Sequence, residues 1–478
     1  MAQGGEAVGP FAAADRVLWS SHCGNVIGAV FDARDYDGDM TDDEFTRLLD
    51  YIRIPSVSAV AAHAPDMGRA AAYIADEIVR AGGTTTLHEG GPHPFIVGEV
   101  PASDGDRDAR RVLIYGHYDV QPPGDPSRWI SPAFEPTVRD GYLYARGASD
   151  NKGNFWQVLC AVQRMRAAGT LPVHVTFVID GEEESGGDSV VRWIERLDAL
   201  PDVAVIWDGD QVEAGRPAVQ TGVRGLSYRK VTITCGTHDG HSGLYGGAAM
   251  NAIHALMDVL DAVRPRSGRV RDELWAGVSA VNERELDAWA SLPSGEQALA
   301  EAGLVPADDR AAAEFNDRTL ASPSVDVHAV WAGDADAVKT VIPSVAHAMV
   351  SIRLAPGQDP AVVGPLFTRL LENAAPVGAT VTVENRGDAS PGIMDPDHPM
   401  MVAAARGLGS VGEAPATPVR TGGTLPVFAA FTAREIPTIL TGFALPDDAI
   451  HSPNERMLVA NLGTGVRAAM AMLTEFAQ

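Results

Sequence analysis

Cysteine is almost absent: three residues, Cys23, Cys160 and Cys235, serve a chain of 478. Their odd number and wide spacing exclude a disulfide framework and a thiolate metal site. They fit a reducing compartment, so a cytoplasmic location is expected. Long apolar runs are also missing, and none approaches the roughly 18 residues that a membrane helix needs. The opening MAQGGEAVGP has no basic stretch leading into an apolar one, so no signal peptide is expected. Positive charge is scarce: 37 Lys and Arg stand against 63 Asp and Glu, a net charge of −26. That balance argues against nucleic acid or an anionic membrane as partner, and it also suits a well-solvated surface.

What is present reads as an ordinary globular protein, 45% hydrophobic and 21% charged. The length exceeds one compact core, so two domains are expected. Met67, Ala71, Ile74 and Ile78 recur at helical spacing over 67–81. VLIYGHYDV (112–120) reads as a buried strand running into His117 and Asp119. A helix over 153–168, a strand over 173–180, a helix over 188–197 and a strand over 203–208 follow. Such alternation predicts an α/β sheet. Past residue 222 the order becomes βαββαβ, the ferredoxin-like unit: strands at 226–235, 325–331, 345–354 and 379–385, helices at 248–263 and 360–374. An acidic, mainly helical insertion at about 268–320 interrupts it. After about 390 the α/β pattern returns, with a strand at 436–442 and a closing helix at 455–475. The expected domains are therefore 1–221 with 391–478, and an inserted 222–390; residues 1–40 form an N-terminal extension.

Acids and imidazoles collect where the first domain's strands end: His117, Asp119, Asp150, Glu182–Glu184, Asp208 and His451. Ligands of open α/β sheets gather at the carboxyl ends of strands. Carboxylates beside imidazoles without thiolates suit zinc, manganese or cobalt. That many acids converging on one site repel unless cations neutralise them. Two metals need a shared ligand, and Asp150 offers two oxygens. Asp210 competes with Asp208, which sits directly on the strand end, His238 competes with His241 within HDGHSG (238–243), and Glu182 has a rival reading as a surface acid. Near the start, FDARDYDGDMTDDEF (31–45) tempts towards a calcium loop, with Asp35, Asp37, Asp39 and Glu44 placed around Gly38. Its first position is Ala33, where a carboxylate is needed. Thr41 with Glu44 is better read as a capping box opening a helix.

Nine segments carry a family resemblance, in order: GHYDV (116–120), ARGASDNKG (145–153), EEESGG (182–187), WDG (207–209), HDGHSGLYGG (238–247), VIPS (341–344), SIRL (351–354), RTGGTLPV (420–427) and IHSPNE (450–455). From about residue 43 onward the chain resembles the M20 metallopeptidases, most of all their carnosinase-like dipeptidase branch. The resemblance implies a di-metal catalytic domain, a mixed sheet flanked by helices, with the ferredoxin-like unit as lid and homodimer surface. It implies two divalent ions, zinc or manganese with cobalt as a third option. His117 and Asp208 would hold one, Glu184 and His451 the other, with Asp150 bridging. Asp119 would orient His117. Glu183 would act as general base on a water bridging the metals, and return the proton to the leaving amine. His241 would stabilise the oxyanion, often across a dimer. Arg353 would hold the substrate carboxylate, with Thr340, Gly423 and Thr424 as further substrate contacts.

The implied reaction is hydrolysis of an amide in a dipeptide or small N-acyl amino acid. One departure bears on substrate. Members of that branch commonly carry an acid at the position of Thr421, to receive a free α-amino group, and serine at that of Thr424. Thr421 is uncharged, which moves the expectation towards a blocked amine. Two rivals remain: an enzyme of specialised metabolism that acts on a modified peptide or forms amides, and a non-catalytic binding protein on a peptidase scaffold. The second predicts a damaged ligand set, and the set is intact.

Overall fold

The computed structural model describes residues 40–333 and 339–478. The candidate calcium-loop positions Asp35, Asp37 and Asp39 lie outside them. Glu44 lies within and is committed elsewhere. Thr41 and Glu44 close the expected capping box on helix Asp42–Ile52, and the Glu44 carboxylate receives Nε of Arg164 at 2.8 Å and Nη2 at 2.6 Å.

A nine-stranded mixed sheet organises the described residues. Its centre is parallel: His174–Asp180, Arg111–His117, Val203–Trp207 and Thr438–Thr441 lie side by side and point the same way. Both faces of these strands are covered, so they read as continuous apolar runs rather than alternating ones; Val112 through Tyr115 and Val203 through Trp207 are all buried. On one face, Leu113, Tyr115, Val178 and Ile206 pack against Val190, Ile194, Phe428 and Phe431. On the other lies the helix Lys152–Ala167, close enough that a Cβ on Gly116 would sit 2.4 Å from the Phe155 ring. Gly116 is therefore what lets this helix seat against the strand that carries His117.

Two antiparallel strands, Thr84–His88 and Phe95–Val100, extend one edge of the sheet. Ala218–Val223 and Thr417–Thr421 extend the other. None of these four was legible as a strand in the sequence. TTTLH is mostly exposed and lacks an apolar period, while the others depend on partners distant in sequence.

The second sheet has four strands, in the order Ser324–Trp331, Val345–Leu354, Gly225–Thr234, Thr380–Ala389, all antiparallel. This is the order of the ferredoxin-like unit. Helices Ala252–Asp261 and Pro360–Asn373 bury Leu256, Val259, Phe367 and Leu371 against Val231, Ile233, Val350 and Ile352. The mixed α/β fold with a ferredoxin-like unit is thus as the sequence predicts. No helix among the described residues is long and apolar enough to cross a membrane.

Candidate metal centre and substrate cavity

The parallel strands bring their carboxyl ends to one edge, and the acids and imidazoles arrive there from five segments. His117 closes Arg111–His117, and Asp208 follows Val203–Trp207. Glu183 and Glu184 lie on the short 3-10 turn Glu183–Ser185 that follows His174–Asp180. Asp150 precedes the helix Lys152–Ala167. His451 sits in a loop with a left-handed backbone, φ 61°, unusual for a residue with a Cβ.

Two candidate ligand groups form among the described residues, and they share one residue. His117, Asp150 and Asp208 make the first; Asp150, Glu184 and His451 make the second. His117 Nε2 lies 3.0 Å from Oδ1 of Asp150 and 3.5 Å from Oδ2 of Asp208. His451 Nε2 lies 2.9 Å from the other oxygen of Asp150 and 3.2 Å from Oε2 of Glu184. The backbone carbonyl of Asp119 is 3.0 Å from Nδ1 of His117. A carbonyl only accepts, so Nδ1 donates there and the neutral ring turns the Nε2 lone pair towards Asp150 and Asp208. Lone pairs facing lone pairs at these distances suit an intervening cation. Glu184 Oε1 is also buried without a hydrogen-bond partner among the described residues, as a metal-directed oxygen would be.

The candidate ligands are held by Asp119, as expected, and by several residues the sequence reading did not single out. Asn151 donates to Oδ1 of Asp208 at 2.6 Å and to the Trp207 carbonyl at 2.8 Å, and accepts from the His117 amide. Gln121 donates to Oε2 of Glu184 at 2.9 Å. Oδ2 of Asp119 receives the Ser58 hydroxyl at 2.6 Å and the Glu184 amide at 3.0 Å, so this buried acid ties two ligand segments together. Glu455, from the IHSPNE segment, accepts the amides of Ser149 and Asp150 at 3.0 and 3.1 Å and pairs with Arg146 at 2.6 Å. Motif membership was the available signal for Asn151 and Glu455. Ser58 and Gln121 had none.

Glu182 is no surface acid. It is 2% exposed, and its oxygens receive the His93 amide at 3.0 Å and the Ser189 hydroxyl at 2.7 Å. That commitment leaves Glu183 and Glu184 to face the site.

Among protein groups alone, the cluster holds protons. Hydrogen bonds to Asp150 and Glu184 push His451 up to about 10, against its burial. Burial opposes a charge on His117, but Asp208 and the bonds to Asp119 and Asp150 raise it well above its ordinary value. Glu183 is pushed up to about 8, by burial first and then by the carboxylates of Asp208, Asp150 and Glu184, with His117 opposing. A site that binds protons this readily is one where divalent cations are electrostatically at home.

Beside the cluster opens a cavity of about 260 Å³ that includes Asp150, Glu183, Asp208, Gly423, Thr424 and His451 in its lining. Arg353 reaches its rim from the second sheet and donates Nη1 to the Thr424 hydroxyl at 2.7 Å. Arg224 holds the same loop through the Gly422 and Gly423 carbonyls. His241 and Thr340 line none of this cavity. His241 pairs with Val341 in a two-stranded ribbon and caps a short helix through the Gly243 amide; the Thr340 carbonyl receives the Ser242 hydroxyl at 2.7 Å. The rival His238 is exposed and bonded to Thr237. None of the other histidines of the described residues joins a ligand group.

Comparison with known proteins bears on this arrangement. Residues 113–475 match the family described as Peptidase family M20/M25/M40. The Beta-Ala-His dipeptidase of Homo sapiens is 28% identical over 471 residues, covering 92% of this chain and 91% of that protein. The cysteinylglycine-S-conjugate dipeptidase of Corynebacterium striatum is 28% identical over 427 residues, covering 86% and 90%. Among solved structures, human carnosine dipeptidase 1 superimposes with a TM-score of 0.76 at 28% identity, covering 91% of this chain and 96% of that one. An M20 family metallo-carboxypeptidase from Sulfolobus solfataricus reaches 0.82 at 24% identity, covering 91% and 100%, and shares the fold.

Proposed function

The chain belongs to peptidase family M20/M25/M40, a family of metallopeptidases, and from that premise we propose that it hydrolyses the amide bond of small dipeptides with two divalent ions. One observation carries the reading: two ligand groups share Asp150, and Glu183 lines the same cavity. The relatives named above are dipeptidases of Beta-Ala-His and of cysteinylglycine conjugates, which supports a dipeptide-sized substrate.

In this reading His117 and Asp208 hold one ion and Glu184 and His451 the other, with Asp150 common to both. Nitrogen and oxygen donors without a thiolate suit zinc or manganese. Bound there, two divalent ions would polarise the scissile carbonyl and acidify a water molecule. Glu183 takes the proton released as that water attacks the carbonyl carbon, and delivers it to the leaving nitrogen as the C–N bond breaks. Its raised pKa suits a group that must both accept and donate near neutral pH. Arg353, anchored on Thr424, presents its remaining N–H groups to the substrate carboxylate, for which a planar fork is suited. A homodimer through the second sheet belongs to the same proposal. His241 lies outside its own chain's cavity, flanked by Leu244 and Tyr245, which are 74% and 54% exposed, and in the dimer it would serve the partner's site.

The test is a hydrolysis screen of the zinc- or manganese-loaded protein in heavy-oxygen water, read by mass spectrometry. Cleavage with label entering the new carboxylate is expected. Amide formation without label, or no turnover of any dipeptide with both ions bound, would overturn the proposal.

A further inference from the structure

The cavity contains a carboxylate that the proposed chemistry does not use. Asp210 lies two residues past Asp208 and belongs to neither ligand group. Its backbone bridges to Ala444, and one oxygen, Oδ1, receives Nε2 of Gln220 at 2.7 Å. Gln220 is itself buried, 4% exposed, on the strand Ala218–Val223. The carboxylate is therefore fixed in place by a neutral amide. No lysine, arginine or histidine among the described residues forms an ion pair with it.

We propose that Asp210 receives the free α-ammonium group of the substrate, so that the protein selects dipeptides with an unblocked amino terminus. The inference rests on the hydrolytic reading above and names its substrate class. Elimination within the cavity supports it. Asp150 and Asp208 are committed to metal, and Glu183 to the moving proton. The Asn154 amide is spent, donating to the Gly209 carbonyl at 2.9 Å and accepting from the Phe443 amide at 2.9 Å. The Thr421 hydroxyl accepts from the Gly423 amide at 3.3 Å. Asp210 remains as the charged group with an oxygen to offer.

Leu425, Leu440, Ala444 and Ile450 add apolar surface to the lining of the same cavity, and a substrate that displaces water from it strengthens a charge pair there. An ammonium brings three donors to that carboxylate. An N-acylated nitrogen brings one donor and a carbonyl oxygen, which the carboxylate repels. The uncharged Thr421 therefore does not imply a blocked substrate.

The experiment compares alanyl-alanine with propionyl-alanine, which differ only by the α-amino group, in the metal-loaded wild type and in Asp210→Asn. The substitution is nearly isosteric and keeps an oxygen for Gln220. Wild type should prefer alanyl-alanine. The variant should lose about ten- to a hundredfold of that preference, mainly through KM, the worth of one charge-assisted hydrogen bond. Metal content should stay at two ions per chain. An unchanged preference would show that Asp210 merely braces Gln220 and would overturn the inference. So would loss of metal in the variant, which would place Asp210 among the ligands. A wild-type preference for propionyl-alanine would overturn it whether or not the variant folds. If wild type cleaves neither compound, the hydrolytic reading is decided separately by the wider dipeptide screen. The inference is then judged by calorimetric Kd values for the same pair, where equal affinity overturns it.

Discussion

Glu183 and its neighbours show how position on a short turn gives three identical residues three different surroundings. Glu182 is bound by His93 and Ser189, Glu184 faces His451, and Glu183 faces the cavity. Replacing Glu183 by Gln removes the proposed proton carrier and preserves size. Turnover should fall by roughly 10²- to 10⁴-fold while two ions per chain remain by elemental analysis; activity near wild type would remove Glu183 from the reaction. Metal uptake should also be coupled to protons. His451 is raised to about 10 by its bonds to Asp150 and Glu184, and His117 is raised as well, so without a cation these imidazoles hold protons more tightly than free histidine, and a divalent ion must compete with them. Affinity for zinc should therefore rise with pH and level off as pH passes the His451 value. Calorimetry in buffers of different ionisation enthalpy should find proton release on binding, shrinking as the pH rises. Binding without proton release would contradict imidazole ligation.

Between elements, one buried charge pair joins Glu285 and Arg420, each side chain 1% exposed. Glu285 belongs to the helix Glu283–Trp289 of the acidic insertion, and Arg420 to the strand Thr417–Thr421. Nε and Nη2 of Arg420 donate to the two oxygens of Glu285 at 3.0 and 2.7 Å, and Thr221 adds its hydroxyl. Trp289 lies against the guanidinium. The insertion thereby braces the strand that leads into the cavity loop at Thr421. Truncating Glu285 to Ala leaves a buried, uncompensated arginine and should cost about 3–5 kcal/mol, measured as a lower urea midpoint. An unchanged midpoint would mean that Arg420 finds water or another acceptor. The same substitution also removes a capping box at Asn282, so Glu285→Gln should fall between the two.

For the whole molecule, the cavity and His241 sit on different parts of the chain. Arg353 reaches the rim, and His241 does not. If His241 serves the partner's cavity, two crippled chains should complement. Mixed after reversible dissociation, Glu183→Gln and His241→Ala chains would form heterodimers in which one cavity has both groups. Activity should recover to about a quarter of wild type, from random pairing of a two-fold dimer. No recovery, with exchange demonstrated by mass spectrometry, would confine each site to one chain.

Much of this protein is determined locally. Strand cores such as Val112 to Tyr115 are legible because burial on both faces demands continuous apolar side chains. The capping box at Thr41 and Glu44 and the periodic helices are short-range physics within one segment. The ligand types are legible too, since acids and imidazoles at strand ends have few other uses in such number. Tertiary structure decided what those groups do. Asp150 stands between His117 and His451 only because a parallel strand and a distant loop meet at one sheet edge. Glu182 became structural through His93, and Asp210 became a fixed cavity carboxylate through Gln220. The edge strands Thr84–His88 and Thr417–Thr421 form because partners are there to pair with. Some of these contacts are short in sequence, as between Asp210 and Gln220 or Thr84–His88 and Phe95–Val100, but those that assemble the centre join distant segments, and local pattern carries no information about which distant segment closes on which.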